Sequence, residues 1–168
     1  MELKKLYENT LRVFECKDTE ELKNKLYNVV LNNEINIYNE FLEIVNYDLS
    51  VDWMQKIFQY YEANRKEKMQ DFTPKSLSRF VAKLAKHNEI IDMCAGSGAL
   101  SIQKWNLDKD STFTLYEFDE NVIPFLLFNL SIRNIEAKVF HMDVLSQEVY
   151  HEYMLKKQNT FSKLEVIK

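Results

Sequence analysis

The chain has 168 residues, of which 46% are hydrophobic and 29% charged, with a formal charge of −4 and a pI near 5.5. This length fits one medium domain, or one domain with a smaller appendage, that buries roughly two-thirds of its unfolded surface, and the composition excludes a disordered tail. The acidic balance excludes an overall pull toward nucleic acid, so DNA contact needs a partner or a local basic patch; Arg65, Lys66, Lys68, Lys75, Arg79, Lys83 and Lys86 are the candidates.

From Glu2 to about Gln70 there is no glycine or proline, and apolar residues recur at helical spacing, as in Leu22, Leu26, Val29 and Val30, then Ile37, Phe41, Ile44 and Val45. This predicts a helical region over residues 1–70 with three or four helices. Asp18 or Thr19 is placed to cap one, and Ser50 or Asp52 the next. The last, from Val51 to Gln70, carries Trp53, Ile57, Tyr60 and Tyr61 on one side as core or interface and ends in a mixed charge run.

Residues 71–168 follow a different pattern. Pro74 turns Thr73 extended and opens a helix in "KSLSRFVAKLA". Three short strands follow, "EIIDMC", "TFTLYEF" and "AKVFHM", separated by the helical patterns "ALSIQKW" and "NVIPFLLFNLSIRN", the second with Pro124 in its first turn. Alternation of strand and helix predicts right-handed crossovers and a parallel sheet, hence an α/β fold.

The two glycines of the chain, Gly96 and Gly98, both fall in the turn after the first strand. In such a sheet ligands bind beyond the carboxyl ends of the strands, and a Gly-Ser-Gly turn lets a ligand approach the main chain. Asp92, Glu117 and Asp143 end three successive strands, so the three carboxylates converge on one sheet edge. Acceptors at those places suit a ligand with an amino group, a ribose diol and an adenine amine, as in S-adenosylmethionine. A nicotinamide dinucleotide fits less well, because the third glycine of its fingerprint falls at Ser101 and Asp92 would face a pyrophosphate. Cys16 and Cys94 have no metal-binding spacing, so no metal is expected, and a reducing compartment is. With no signal peptide, lipidation site or membrane-spanning run, the expectation is a cytoplasmic protein without a membrane partner.

These motifs resemble the adenine-N6 DNA methyltransferases of restriction-modification systems, particularly type I modification subunits and their phage and mobile-element relatives. "DFTPKSLSRFVAKLA" is similar to the family's aromatic-Thr-Pro motif opening a helix. "DMCAGSGAL" is similar to its Asp-Pro-Ala-Cys-Gly-Ser-Gly-Gly motif, with Met93 for proline, Cys94 and Ala95 exchanged, and Ala99 for the last glycine. "LYEFDENVIPFLLFNLSIRNI" and "MDVL" resemble its Gln-Glu-Ile-Asp and Gly-Asp-x-Leu motifs. The resemblance implies that Thr73 meets the carboxylate of S-adenosylmethionine, and that Asp92 with the Ala95, Gly96, Ser97 and Gly98 backbone holds its methionine portion. It further implies that Glu117 accepts from the ribose, Phe118 lies on the adenine and Asp143 accepts from the adenine amine. The implied fold is an incomplete Rossmann-like methyltransferase sheet with flanking helices, behind the helical N-terminal region.

The family's Asn/Asp-Pro-Pro-aromatic motif, which holds the target amine and stacks on the flipped base, is absent from these residues, since the two prolines are Pro74 and Pro124. No residue is therefore assigned a catalytic role. "FSKLEVIK", Phe161 to Lys168, alternates like a fourth strand and offers an exposed edge. The first expectation is a cofactor-binding family member whose catalysis needs a second chain supplying the catalytic and target-recognition regions, with DNA bound weakly or through that partner. A homo-oligomer through the sheet edge or the N-terminal helices is a further possibility. The alternative is a non-catalytic interaction module, a mobile-element decoy acting on a restriction-modification complex. A third reading, methyl transfer to another substrate with His141 as base, has little support, because a histidine beside a strand is more often structural.

Overall fold

The computed structural model describes residues 2–61 and 73–168. Four helices come first: α1 (Leu3–Val13), α2 (Thr19–Asn32), α3 (Ile35–Ile44) and α4 (Trp53–Tyr61). Then follow α5 (Lys75–Leu84), β1 (Glu89–Asp92), α6 (Ala99–Leu107), β2 (Thr112–Glu117), α7 (Ile123–Ile132), β3 (Glu136–Asp143), β4 (Glu148–Lys156) and β5 (Lys163–Val166). The expected continuation of α4 to Gln70, with Arg65, Lys66 and Lys68, lies outside the described residues. Local chemistry sets the helix ends. The Asp18 carboxylate accepts from the Glu21 amide at 2.9 Å to start α2, and Asp52 accepts from the Gln55 amide at 2.8 Å to start α4. Asn33, in the left-handed region at φ 52°, ends α2.

The sheet order is β1-β2-β3-β4-β5. Strands β1, β2 and β3 are parallel, joined by the expected helical crossovers, and the fold is the expected α/β, incomplete Rossmann-like one. The sheet as a whole is mixed, because β4 pairs antiparallel with β3 and β5 antiparallel with β4. Residues 161–168 thus contribute a fifth strand, β5, and a strand that the sequence reading left unassigned, β4, precedes it. Loop length explains the change of direction. A parallel connection needs a dozen or more residues, whereas only residues 144–147 separate β3 from β4, with Gln147 at φ 61° in the turn.

One face of the sheet buries Phe113, Leu115, Ala137, Val139, Tyr153, Leu155 and Leu164 beneath the helices. The other face carries the register row Ile91, Thr114, Lys138, Met154 and Glu165 and is partly solvated, with Lys156 and Glu165 paired at 2.7 Å. Helix α7 is apolar on all sides, which its sequence "IPFLLFNLSI" requires, and it lies between β3 and helices α2 and α4. Phe128 at its centre meets Phe14, Tyr38 and Phe41 at ring-centroid distances of 5.4, 5.3 and 5.3 Å. The N-terminal helices and the sheet share one hydrophobic cluster.

A buried polar chain ties these layers together. The Ser131 hydroxyl donates to the Ser162 carbonyl at 2.6 Å, so the Tyr38 hydroxyl, 2.9 Å from Ser131 Oγ, is the donor to it. Tyr38→Phe is expected to lower stability by about 0.5–1.5 kcal/mol, read from urea unfolding midpoints at unchanged slope.

The two sheet edges are β5 and β1. At the β1 edge Ile91 is 66% and Met93 57% exposed, and α5 buries only Ser78 and Ala82 while leaving Leu77, Phe80, Val81 and Leu84 open. Isolated exposed apolar residues are ordinary. Four lie on one short helix, and two more at the outer edge of the sheet.

Candidate functional site: the ends of the parallel strands

Strands β1, β2 and β3 end at Asp92, Glu117 and Asp143. Because the three strands are parallel, these acids stand toward one end of the sheet, each two residues further along than the last, and Asp92 and Glu117 flank the turn that carries both glycines.

The turn from β1 into α6 is held from several sides. The Ala95 amide donates to the Tyr116 carbonyl at 2.9 Å, and the Gly96 amide to Glu117 Oε2 at 2.7 Å. Glu117 Oε1 accepts from the amides of Phe118 and Asp119 at 2.9 and 2.8 Å. Three of its roughly four acceptor positions are therefore taken by backbone, and one remains for a ligand. Gly96 and Gly98 have φ of 55° and 95°. A Cβ at Gly96 would meet nothing within 4 Å, so open space lies above that residue, whereas one at Gly98 would stand 3.1 Å from Leu126 Cδ1 of α7. Gly98 is thus required by backbone angle and packing together. Gly98→Ala is expected to destabilise by about 1–3 kcal/mol, measured by chemical denaturation.

Asp92 differs from its two counterparts. Its Oδ1 accepts from the Cys94 amide at 3.1 Å, but its Oδ2 is buried with no hydrogen-bond partner. Burial, opposed only by the Cys94 amide, raises its pKa above the usual carboxylate range. Asp143 is the opposite case. Its Oδ1 accepts from the amides of Leu145 and Ser146 at 2.9 and 3.4 Å, and these bonds together with the Ser146 side chain lower its pKa.

Phe118 follows Glu117 with its ring 63% exposed, 6.5 Å from the Tyr150 ring. Its carbonyl is 3.1 Å from His141 Nε2, and a carbonyl can only accept, so Nε2 carries the proton. His141 Nδ1 then accepts from His151 Nδ1 at 3.1 Å. Both nitrogens of His141 are engaged by the protein, which makes it a support for the Phe118 backbone and removes it as a free base. Asp119 accepts from the Asn121 amide at 3.0 Å, and α7 starts after Val122 without a side-chain cap.

Thr73, two residues before α5, lines a cavity of about 230 Å³ together with Ala99 at the start of α6. Lys56 and Lys75 line the same cavity. Nothing local in the sequence marks these two cations, from different helices, as neighbours, so Lys75 shows there only as part of a basic patch and Lys56 not at all. Ser97, by contrast, turns inward. It is 4% exposed, and its hydroxyl donates to Asp52 Oδ2 at 2.7 Å. Among the described residues no group of three or more His, Cys, Asp or Glu could hold a metal ion, and no helix is long and apolar enough to cross a membrane.

A glycine turn at the end of β1, with acids ending β1, β2 and β3 of a half-Rossmann sheet, makes this end of the α/β fold the candidate site. The family model for N-6 DNA methylases matches residues 45–164, which spans α4, strands β1 to β4, the start of β5 and every residue of this site. The chain belongs to the N-6 DNA methylase family. No curated protein and no solved structure matches it.

Proposed function

We propose that this chain binds S-adenosylmethionine at the ends of β1, β2 and β3, and that DNA adenine methylation requires a second chain. The observation that carries the reading is Asp92 Oδ2, a buried acceptor without a donor beside the glycine turn. An orphaned buried carboxylate oxygen is costly unless it serves a ligand, and a substrate ammonium is the donor that satisfies both its charge and its hydrogen bond.

The other residues fit the same molecule. The Gly96 backbone lies under open space for close approach, and the free acceptor position of Glu117 suits a ribose hydroxyl. The exposed Phe118 ring offers a platform for adenine, and the ionised Asp143 carboxylate an acceptor for its amine. Thr73, Lys75 and Lys56 surround a cavity at the start of α6 where a carboxylate would be favoured by two cations and the helix N-terminus. Bound there, S-adenosylmethionine supplies an electrophilic methyl group. The chain's own residues fix and orient the molecule; none of them is placed to hold the amine that accepts the methyl.

The reading of a second chain rests on these 168 residues holding no Pro-Pro pair and on the outer edge of β1, which no described strand pairs. A partner strand paired to β1 would extend the sheet and supply the Asn/Asp-Pro-Pro-aromatic and target-recognition regions. In this reading the protein is a cytoplasmic component of a restriction-modification system. The chain alone is expected to give background adenine methylation of DNA. A co-purifying chain bearing that motif should restore activity, and Ile91→Lys should abolish the restoration. The same bare edge also supports the alternative, a decoy that occupies a restriction-modification subunit; its mark is partner binding that survives loss of both Asp92 and Glu117.

Asp92 gives a pH test. An acid whose folded pKa is raised above its unfolded value contributes stability at low pH that is lost as pH rises through the folded pKa. The stability of Asp92→Asn relative to wild type is therefore expected to improve from pH 4 to pH 7, followed by urea midpoints, while its affinity for S-adenosylmethionine falls. A relative stability that is flat over this range would remove the desolvation argument.

A further inference from the structure

The N-terminal helical region and the glycine turn meet at one carboxylate. Asp52 precedes α4, and its Oδ1 accepts from the Gln55 amide at 2.8 Å, which is all that a helix cap requires. Serine, threonine or asparagine would do as much. The second oxygen has another use, accepting from the Ser97 hydroxyl at 2.7 Å between the two glycines. Asn129 of α7 closes the arrangement, its Nδ2 donating to Asp52 Oδ1 and to the Ser97 carbonyl, each at 2.8 Å. Its Oδ1 accepts from Arg133 Nη1 at 2.9 Å. Ser97 is thus fixed through both its side chain and its carbonyl, by groups from two other parts of the chain.

We infer that Asp52 is a positioning residue for the glycine turn: by holding Ser97 it sets the direction of the Gly96 and Gly98 backbone at the ligand-binding end of the sheet. The effect on affinity rests on the reading of this turn as an S-adenosylmethionine cradle; the effect on the turn itself does not. Asp52 is 7% exposed and Ser97 4%, so water does not replace the bond when it is removed. The helical region then does more than shield α7, since it contributes a restraint on the site.

Two variants cut the same bond from opposite sides. Asp52→Ser keeps a capping oxygen for α4 and loses the reach to Ser97, and Ser97→Ala keeps Asp52 and its cap. Tyr38→Phe, which removes a buried hydrogen bond away from the turn, is the control for general destabilisation. Each protein is examined by amide hydrogen exchange and by S-adenosylmethionine titration under conditions where all are folded. The expected result is exchange at residues 96–98 at least tenfold faster in both turn variants, with protection of α2 unchanged, and none of this in Tyr38→Phe. Affinity should fall at least tenfold in each, with the double variant no weaker than the worse single one, because both lose one shared bond. Unchanged exchange at residues 96–98 in Ser97→Ala would overturn the inference, as would affinity within twofold of wild type. If the wild type does not bind S-adenosylmethionine at all, the cradle reading fails, and the exchange result still decides whether Asp52 positions the turn.

Discussion

Arg133→Met is expected to lower the stability of the protein by about 3–5 kcal/mol, the range found when one member of a buried charge network is removed and the rest is left behind. The Arg133 guanidinium is 4% exposed and burial pushes its pKa down to about 10, so it is still charged at neutral pH. It donates to the Leu49 carbonyl at 3.0 Å, the Val51 carbonyl at 2.8 Å, and the Asn129 carbonyl and Oδ1 at 2.8 and 2.9 Å. Methionine fills the volume but donates nothing. The Leu49 and Val51 carbonyls lose their donor in the loop leading to Asp52, and Asp52 loses the positive charge that offsets its burial. Urea unfolding gives the magnitude, and a loss under 1 kcal/mol would mean that water reaches these carbonyls in solution.

Phe128→Ala is expected to cost about 3–5 kcal/mol as well, for a different reason. Phe128 has no exposed surface and packs against Tyr38 and Phe41 of α3 and Phe14 at the end of α1, and Tyr38 itself contacts Phe161 at 4.6 Å. Truncation leaves a cavity bounded by rigid rings that cannot collapse into it. For a domain of this size each kcal/mol corresponds to roughly 2–4 °C in Tm, so a thermal melt should show a drop of about 6–20 °C. Because the rings belong to both the helical region and α7, the variant is expected to unfold in a single transition. Two separated transitions would show that the helices melt independently.

The parts of this molecule that were legible in the sequence are those written in local pattern. The helix-capping aspartates, the first-turn proline of α7, the glycine turn and the acids ending β1, β2 and β3 each follow from a residue type at a short spacing. What escaped the reading depends on distance. Strand β4 has the sequence "EVYHEYMLK", in which only Tyr153 and Leu155 are buried, so it lacks the apolar run that marked the other strands. Its antiparallel direction follows from a four-residue loop that means little until the neighbouring strand is known. Asp52 read as a cap, because one oxygen has that local use, while the partner of its other oxygen lies 45 residues away. The exposed side of α5 was equally hidden, since Leu77, Phe80 and Leu84 recur at the spacing of a buried face and yet are 49%, 59% and 62% exposed.

The charge distribution follows the same logic. Lys75, Arg79 and Lys83 are spaced four residues apart on α5, and with Ser50, Gln103, Asn106 and Leu107 they line a cavity of about 300 Å³. In an acidic chain this is a local basic face on the helix that also carries the open apolar residues. Any chain that covers α5 must accommodate both, which favours a partner surface with apolar residues flanked by acids.

The most direct test of the account is a calorimetric titration of the purified chain with S-adenosylmethionine, alongside the double variant Asp92→Ala, Glu117→Ala. The account predicts saturable one-to-one binding by the wild type and none by the variant, with both proteins folded by circular dichroism. Absence of binding by the folded wild type at millimolar S-adenosylmethionine, or equal binding by the variant, would contradict it.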